Sequence, residues 1–84
     1  KLFMEQPLKH ASHAAKVLIK FHLMDIQGCP VESLHEWAQT SSYLKTLHRS
    51  HFQQQTMREW TGGLMDALVR SGVLAQQGDR VVNV

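Results

Sequence analysis

With 84 residues the chain is one domain, and a chain of this size buries somewhat over ~60% of its unfolded surface, enough for one small core. Hydrophobic residues make up 43% and charged residues 19%, which excludes a disordered polyelectrolyte, and no apolar run approaches the ~18 residues of a membrane span. A net charge of +2 with a pI near 9.0 is mildly basic, compatible with nucleic acid without requiring it.

Cys29 is the single cysteine. One thiol excludes an internal disulfide and four-cysteine zinc frameworks, and it favours a reducing compartment. The start, KLFMEQPLKH, has neither a signal-peptide layout nor an initiator Met, so a single domain (residues 1–84) excised from a larger intracellular protein is expected.

The first helix is predicted from about Gln6 to Ile26. Pro7 suits its first turn, where a missing N–H costs nothing, and Gly28 followed by Pro30 ends it. Leu8, Ala11, Ala14, Ala15, Leu18, Ile19, Phe21 and Ile26 form a broad apolar face. Opposite them Lys9, His13, Lys16 and Lys20 make a basic stripe. The simplest reading of that stripe is a solvated face; the functional one is a row of phosphate contacts.

Gln27 to Val31 is a turn, with Cys29-Pro30-Val31 as a very short strand. Ser33 and Glu36 have the spacing of a capping box, which starts a short helix carrying Leu34, Trp37 and Ala38 inward. Thr40-Ser41-Ser42 ends it, because these side chains compete for backbone hydrogen bonds. Ser42 to Phe52 suits one more short helix, with Tyr43, Leu44 and Leu47 on one side. Lys45, His48, Arg49 and His51 form a second basic cluster there.

The organising helix begins at a second capping box, Thr56 with Glu59. Its inner stripe is Met57, Trp60, Thr61, Leu64 and Leu68, supported by Met65 and Ala67. Gly62 and Gly63 fall toward its outer face, at a cost of about 1 kcal/mol each relative to alanine. Gly72 is the natural residue past the helix end. Val73 to Ala75 then reads as a strand, Gln76 to Asp79 as a four-residue turn, and Arg80 to Val84 as the return strand.

The order helix, short strand, capped helix, longer amphipathic helix, glycine and hairpin resembles the winged-helix family of helix-turn-helix domains. The stretch LMDALVRSGVLAQQGDRVVNV carries most of the likeness. The resemblance implies a mostly α fold with a small C-terminal β-hairpin, a winged-helix-like three-helix domain. Ser42 to Gln55 departs from it, being longer than the usual connection between second and third helices. Members of that family often bind DNA with the third helix in the major groove and the wing on the backbone; many others bind only protein, so the site has to be argued from residues.

Two readings follow. In the first the chain is a DNA-binding module of a replication, repair or transcription protein, in nucleus or cytoplasm. It grips double-stranded DNA through phosphate contacts from Lys9, His13, Lys16, Lys20, Lys45, Arg49, Arg58, Arg70 and Arg80. In the second, the near-neutral outer face of the third helix, with Gln55, Glu59, Gly62, Gly63 and Asp66, docks another protein subunit together with the wing. Glu59 and Asp66 repel phosphate, which weakens that helix as a DNA reader and moves the expected grip to the two basic clusters.

No pattern supports catalysis, and neither an enzyme activity nor a metal or cofactor is expected. His10/His13 and His48/His51 have helical spacing for a shared metal, but no third ligand accompanies them and Lys9, Lys16 and Arg49 oppose a cation; surface histidines is the simpler reading. Cys29 with His35 would serve as nucleophile and base in principle. A small buried Cys29 is simpler. His22, one turn from Asp25, reads as a core-edge histidine, and Trp37 and Trp60 as core.

Overall fold

A computed structural model describes the backbone of residues 2–84 and the side chains of residues 12–84. Among them are four helices, α1 (Leu2–Ile26), α2 (Val31–Thr40), α3 (Ser42–His51) and α4 (Met57–Arg70). Three short strands accompany them, β1 (Gly28–Pro30), β2 (Leu74–Gln77) and β3 (Arg80–Asn83). The chain is therefore mostly α with a C-terminal hairpin. The helices number four, the short helix expected from Ser42 to Phe52 forming as α3 beside the three main ones.

All seven elements contribute to one core. Ala15, Ile19 and Leu23 come from α1, Cys29 from β1, Leu34 and Ala38 from α2, and Leu44 from α3. Trp60, Leu64, Met65 and Leu68 come from α4, Leu74 from β2 and Val81 from β3. Each fully buried Leu or Ile side chain contributes about 1.5–3 kcal/mol of transfer free energy. The buried line of α1 is Ala15, Ile19, Leu23, one residue per turn and narrower than the expected face. Leu23, not among the residues expected on that face, is fully buried, whereas Phe21 is 59% exposed and Ile26 42%. Phe21 stands about 200° round the helix from both Ile19 and Leu23, and Ile26 lies on the last turn. The helix also begins at Leu2, ahead of Gln6, which places Pro7 beyond the first turn. Leu8 and Ala11 lie outside the described side chains.

α1 ends at Ile26, and Gln27 after it takes the left-handed conformation (φ 68°), so the helix stops one residue before Gly28. Gly28 instead opens β1. That strand pairs antiparallel with β3, Cys29 opposite Val81 and Pro30 opposite Arg80, so β3 is the centre of a three-stranded sheet ordered β1-β3-β2. This pairing also decides where α2 starts. The Val31 N–H donates to the Asp79 carbonyl at 2.7 Å, and the helix begins at Val31 behind Pro30. The expected Ser33 cap is thus not used: Ser33 lies inside the first turn, and no side chain caps this helix. A long-range strand pairing has overridden a local capping signal.

Only Ser41 separates α2 from α3. Its amide closes α2 onto the Trp37 and Ala38 carbonyls, and its hydroxyl accepts from the Leu44 N–H at 3.3 Å to start α3. The Thr56 box forms as expected. Glu59 N–H donates to the Thr56 hydroxyl and Thr56 N–H to the Glu59 carboxylate, each at 3.0 Å, an arrangement that contributes about 1 kcal/mol. At the other end Val73 N–H bonds the Leu68 carbonyl and Gly72 N–H the Val69 carbonyl, a Schellman closure that needs the positive φ (82°) of Gly72. The hairpin turn is tighter than the four residues expected. Pairing continues to Gln77 opposite Arg80, leaving the two-residue loop Gly78-Asp79 with φ +63° at Gly78.

Candidate functional site

The cations separate into two groups at opposite ends of α4. The first surrounds its N-terminus. Lys45, His48 and Arg49 of α3 line a groove of about 430 Å³ together with Gln39, Gln53 and Met57. Next to Met57, Arg58 makes a two-pronged pair with Glu32 of α2, one arm 3.0 Å long. Glu32 follows Val31, whose amide is held by Asp79, and Arg80 follows Asp79. The hairpin turn, the start of α2 and the start of α4 are thereby tied together. Lys45, Arg49, Arg58 and Arg80 are all exposed.

The second group lies near the C-terminus of α4. His13, Lys16 and Lys20 line a groove of about 260 Å³ with Val17, Leu68 and Val73. Met57 and Leu68 are eleven residues apart on one helix, so the two grooves are separated by about 16 Å along α4. Lys9 belongs to this stripe by spacing, but its side chain lies outside the described residues.

Between the grooves, the outer face of α4 is electrically quiet. Arg70 pairs with Asp66 one turn back at 2.6 Å, and Arg58 pairs with Glu32. Both pairs are exposed and therefore weak. The guanidinium hydrogen bond holds the Glu32 carboxyl below its usual range. Of the residues expected to dock a protein, the Glu59 carboxylate serves the helix cap, Asp66 serves Arg70, and the Gln55 carbonyl accepts from His48 Nε2 at 2.5 Å. Gly62 is half-buried rather than outward; a Cβ there would sit 3.8 Å from His35 Cε1. Gly63 is exposed, and a Cβ added there would meet nothing within 4 Å.

Three histidines contact aromatic rings. His22 stacks flat on Trp37, ring centroids 4.0 Å apart and 2° from parallel. His48 leans over Trp60, which stacks on Phe52 at 5.0 Å, and His51 meets the edge of Phe52. The His48/His51 pair is thus drawn to different partners. Among the described residues no three potential ligands gather to hold a metal. Cys29 is buried, and burial pushes its thiol up, with Arg80 partly opposing. A raised thiol is a poor nucleophile. His35, Trp60 and Thr61 each bury one side-chain polar atom without a partner among the described residues (Nδ1, Nε1 and Oγ1).

Burial lowers the pKa of His35, with Arg58 acting in the same direction and Glu32 against it. Burial likewise lowers that of His22, opposed by Asp25. Both folded values lie below the unfolded one of 6.5, so the unfolded chain takes up protons first as pH falls. Stability is full above pH 6.5 and is lost as pH drops from there toward the folded values. The slope is at most about 1.4 kcal/mol per pH unit for each histidine. Urea midpoints measured between about pH 7.5 and pH 5 are expected to fall, and His35→Gln is expected to flatten the fall. A midpoint independent of pH in this window would contradict the burial of both rings.

Sequence reasoning finds the cations but misses what stands between them. Gln39, Gln53 and Met57 in one groove, and Val17, Leu68 and Val73 in the other, carry no local signal, because each groove is made by elements distant in sequence. No helix among the described residues is long and apolar enough to cross a membrane. No family model, no curated protein and no solved structure matches the chain.

Proposed function

We propose that the chain is a winged-helix-type DNA-binding module of a larger replication, repair or transcription protein, gripping duplex DNA by phosphate contacts at the N-terminal end of α4. The reading rests on one observation: Lys45 and Arg49 of α3 line one groove with Met57 of α4, and Arg58 follows Met57 in the same first turn. The strand order supports it, since β1 between the first two helices pairs with the last strand. Lys45 and Arg49 are one turn apart on α3 and have no ion-pair partner among the described residues, so phosphate is their available counter-charge. Arg58 exchanges an exposed carboxylate for a phosphate at little cost. His48 and Arg49 also sit in the last turn of α3, where positive charge complements the helix dipole. Such a dipole role accounts for Arg49 but not for Lys45 on the first turn.

Few base-edge donors face outward from α4, and Arg70 is paired, so binding is of modest sequence specificity. Fluorescence anisotropy of labelled duplex is expected to show affinity falling steeply with salt. The double variant Lys45→Glu/Arg49→Glu is expected to lower affinity by about tenfold or more and to reduce the salt slope by about 2, roughly one per phosphate contact removed. Unchanged affinity in this variant, or no binding at low salt, overturns the proposal.

A further inference from the structure

We propose that the second groove, between α1 and the junction of α4 with β2, docks an acidic peptide segment of a partner protein anchored by an apolar side chain. This inference is independent of the DNA reading, since it uses the opposite end of α4. Its first support is the chemistry of the walls. Three of the six lining residues are apolar, Val17, Leu68 and Val73, and the other three are His13, Lys16 and Lys20, with no carboxylate among them. A peptide carrying both carboxylates and an aliphatic side chain satisfies floor and rim together.

The apolar surface also extends beyond the groove. Val84 N–H bonds the Val73 carbonyl and Asn83 N–H the Gln27 carbonyl, each at 3.4 Å, so the end of β3 runs beside the last turns of α1. Lys20, Met24 and Gln27 follow one another at spacings of four and three, which puts Met24 on the strip between groove and strand end. Met24 is 48% exposed and Val84 76%, and Phe21 flanks Met24 one step round the helix. None of these side chains has a role in the core or in the proposed DNA grip. Exposed apolar side chains beside a row of cations have the composition of a peptide-binding surface.

The charge pattern selects the partner's sign. On α1 Asp25 lies on the far side of Phe21 from the lysines, and on α4 Asp66, two residues from Leu68, is paired with Arg70. A second copy of this chain would bring its own lysines and no matching carboxylate row, which disfavours self-association here.

The test uses the 84-residue chain and a synthetic Glu-rich peptide with leucines at helical spacing, compared with polyglutamate and with duplex DNA. In amide and methyl NMR titrations the leucine-containing peptide is expected to shift Val17, Leu68 and Val73. Lys16→Glu/Lys20→Glu is expected to weaken it about tenfold, equivalent to about 1.4 kcal/mol. The exposed change Met24→Ser, which carries little folding risk, is expected to weaken the leucine-containing peptide severalfold and to leave polyglutamate unaffected. Met24→Ser changes no charge and is not expected to alter duplex binding, so failure here is distinguishable from failure of the DNA reading. Equal binding of polyglutamate, duplex-induced shifts at the same three residues, the same shifts arising on self-association, or no effect of Met24→Ser each overturns the proposal.

Discussion

Replacing Gly28 by alanine is expected to cost about 3 kcal/mol of folding stability, among the larger effects any single exposed-to-intermediate position in this chain would show. Two causes add. At φ +150° an L-residue is strained whatever the space around it. The added methyl would also lie 2.9 Å from Val82 Cγ1, 3.0 Å from the Val81 carbonyl and 3.2 Å from Val82 Cα. Only the first neighbour is a side chain. The other two are backbone of β3, which is clamped by β2 on its far side and cannot yield alone. For a domain of this size the loss corresponds to a melting point lower by roughly 12–24 °C. Gly63→Ala is the matched control. Its φ is helical and no atom lies within 4 Å of the new methyl, so it is expected to gain about 0.5–1 kcal/mol. Thermal denaturation followed by circular dichroism compares the two. A Gly28→Ala protein melting within a few degrees of the parent would mean that β1 does not hold its place on β3.

Gly28 also shows what is and is not legible in the chain. Signals confined to one turn are legible: the Thr56–Glu59 box, the inner stripe from Trp60 to Leu68, and the glycine past the end of α4. Each depends on residues three or four apart. Gly28 reads as a helix stop because glycine usually serves so. Its actual task is close approach to Val82, far along the chain, and the left-handed position falls to Gln27. Ser33 misleads for a related reason. Its capping spacing is sound, but the bond from Val31 to Asp79 fixes the helix start three residues earlier. The apolar face expected for α1 is too wide, admitting Phe21 and omitting Leu23, because composition alone does not say how much of a helix its neighbours cover.

Charge is legible in the same partial way. The Asp66–Arg70 pair is one helical turn apart and follows from spacing, whereas Glu32 meets Arg58 across 26 residues. Lysines and arginines can be counted, and their stripes drawn, without knowing which will keep a free charge. Among the described residues, the fold leaves Lys45 and Arg49 unpaired at one end of α4, Lys16 and Lys20 at the other, and cancels most of the charge between. The resulting asymmetry is one of chemistry as much as position: amides accompany the first group, valines and leucine the second.

Leu44→Ala is expected to separate α3 from the rest of the domain and to carry the proposed DNA grip away with it. Leu44 is the one fully buried side chain of α3. Leu47 is half-buried, Tyr43 is 50% exposed, and Phe52 closes the helix end on Trp60. Truncating a buried leucine costs about 2–5 kcal/mol. A helix of ten residues is marginal by itself, so little else would keep this one formed. Single residues and a polar loop join it to its neighbours, so it can open without dismantling the sheet. Hydrogen exchange is therefore expected to show early loss of protection from Leu44 to His51, with the amides of β2 and β3 still protected. Because Lys45 and Arg49 ride on α3, duplex affinity is expected to fall about as far as in their own charge-reversal variant, although neither residue is altered. Uniform loss of protection across the domain would show that α3 is not a separate unit. Retained affinity after selective loss of α3 would show that DNA is held elsewhere.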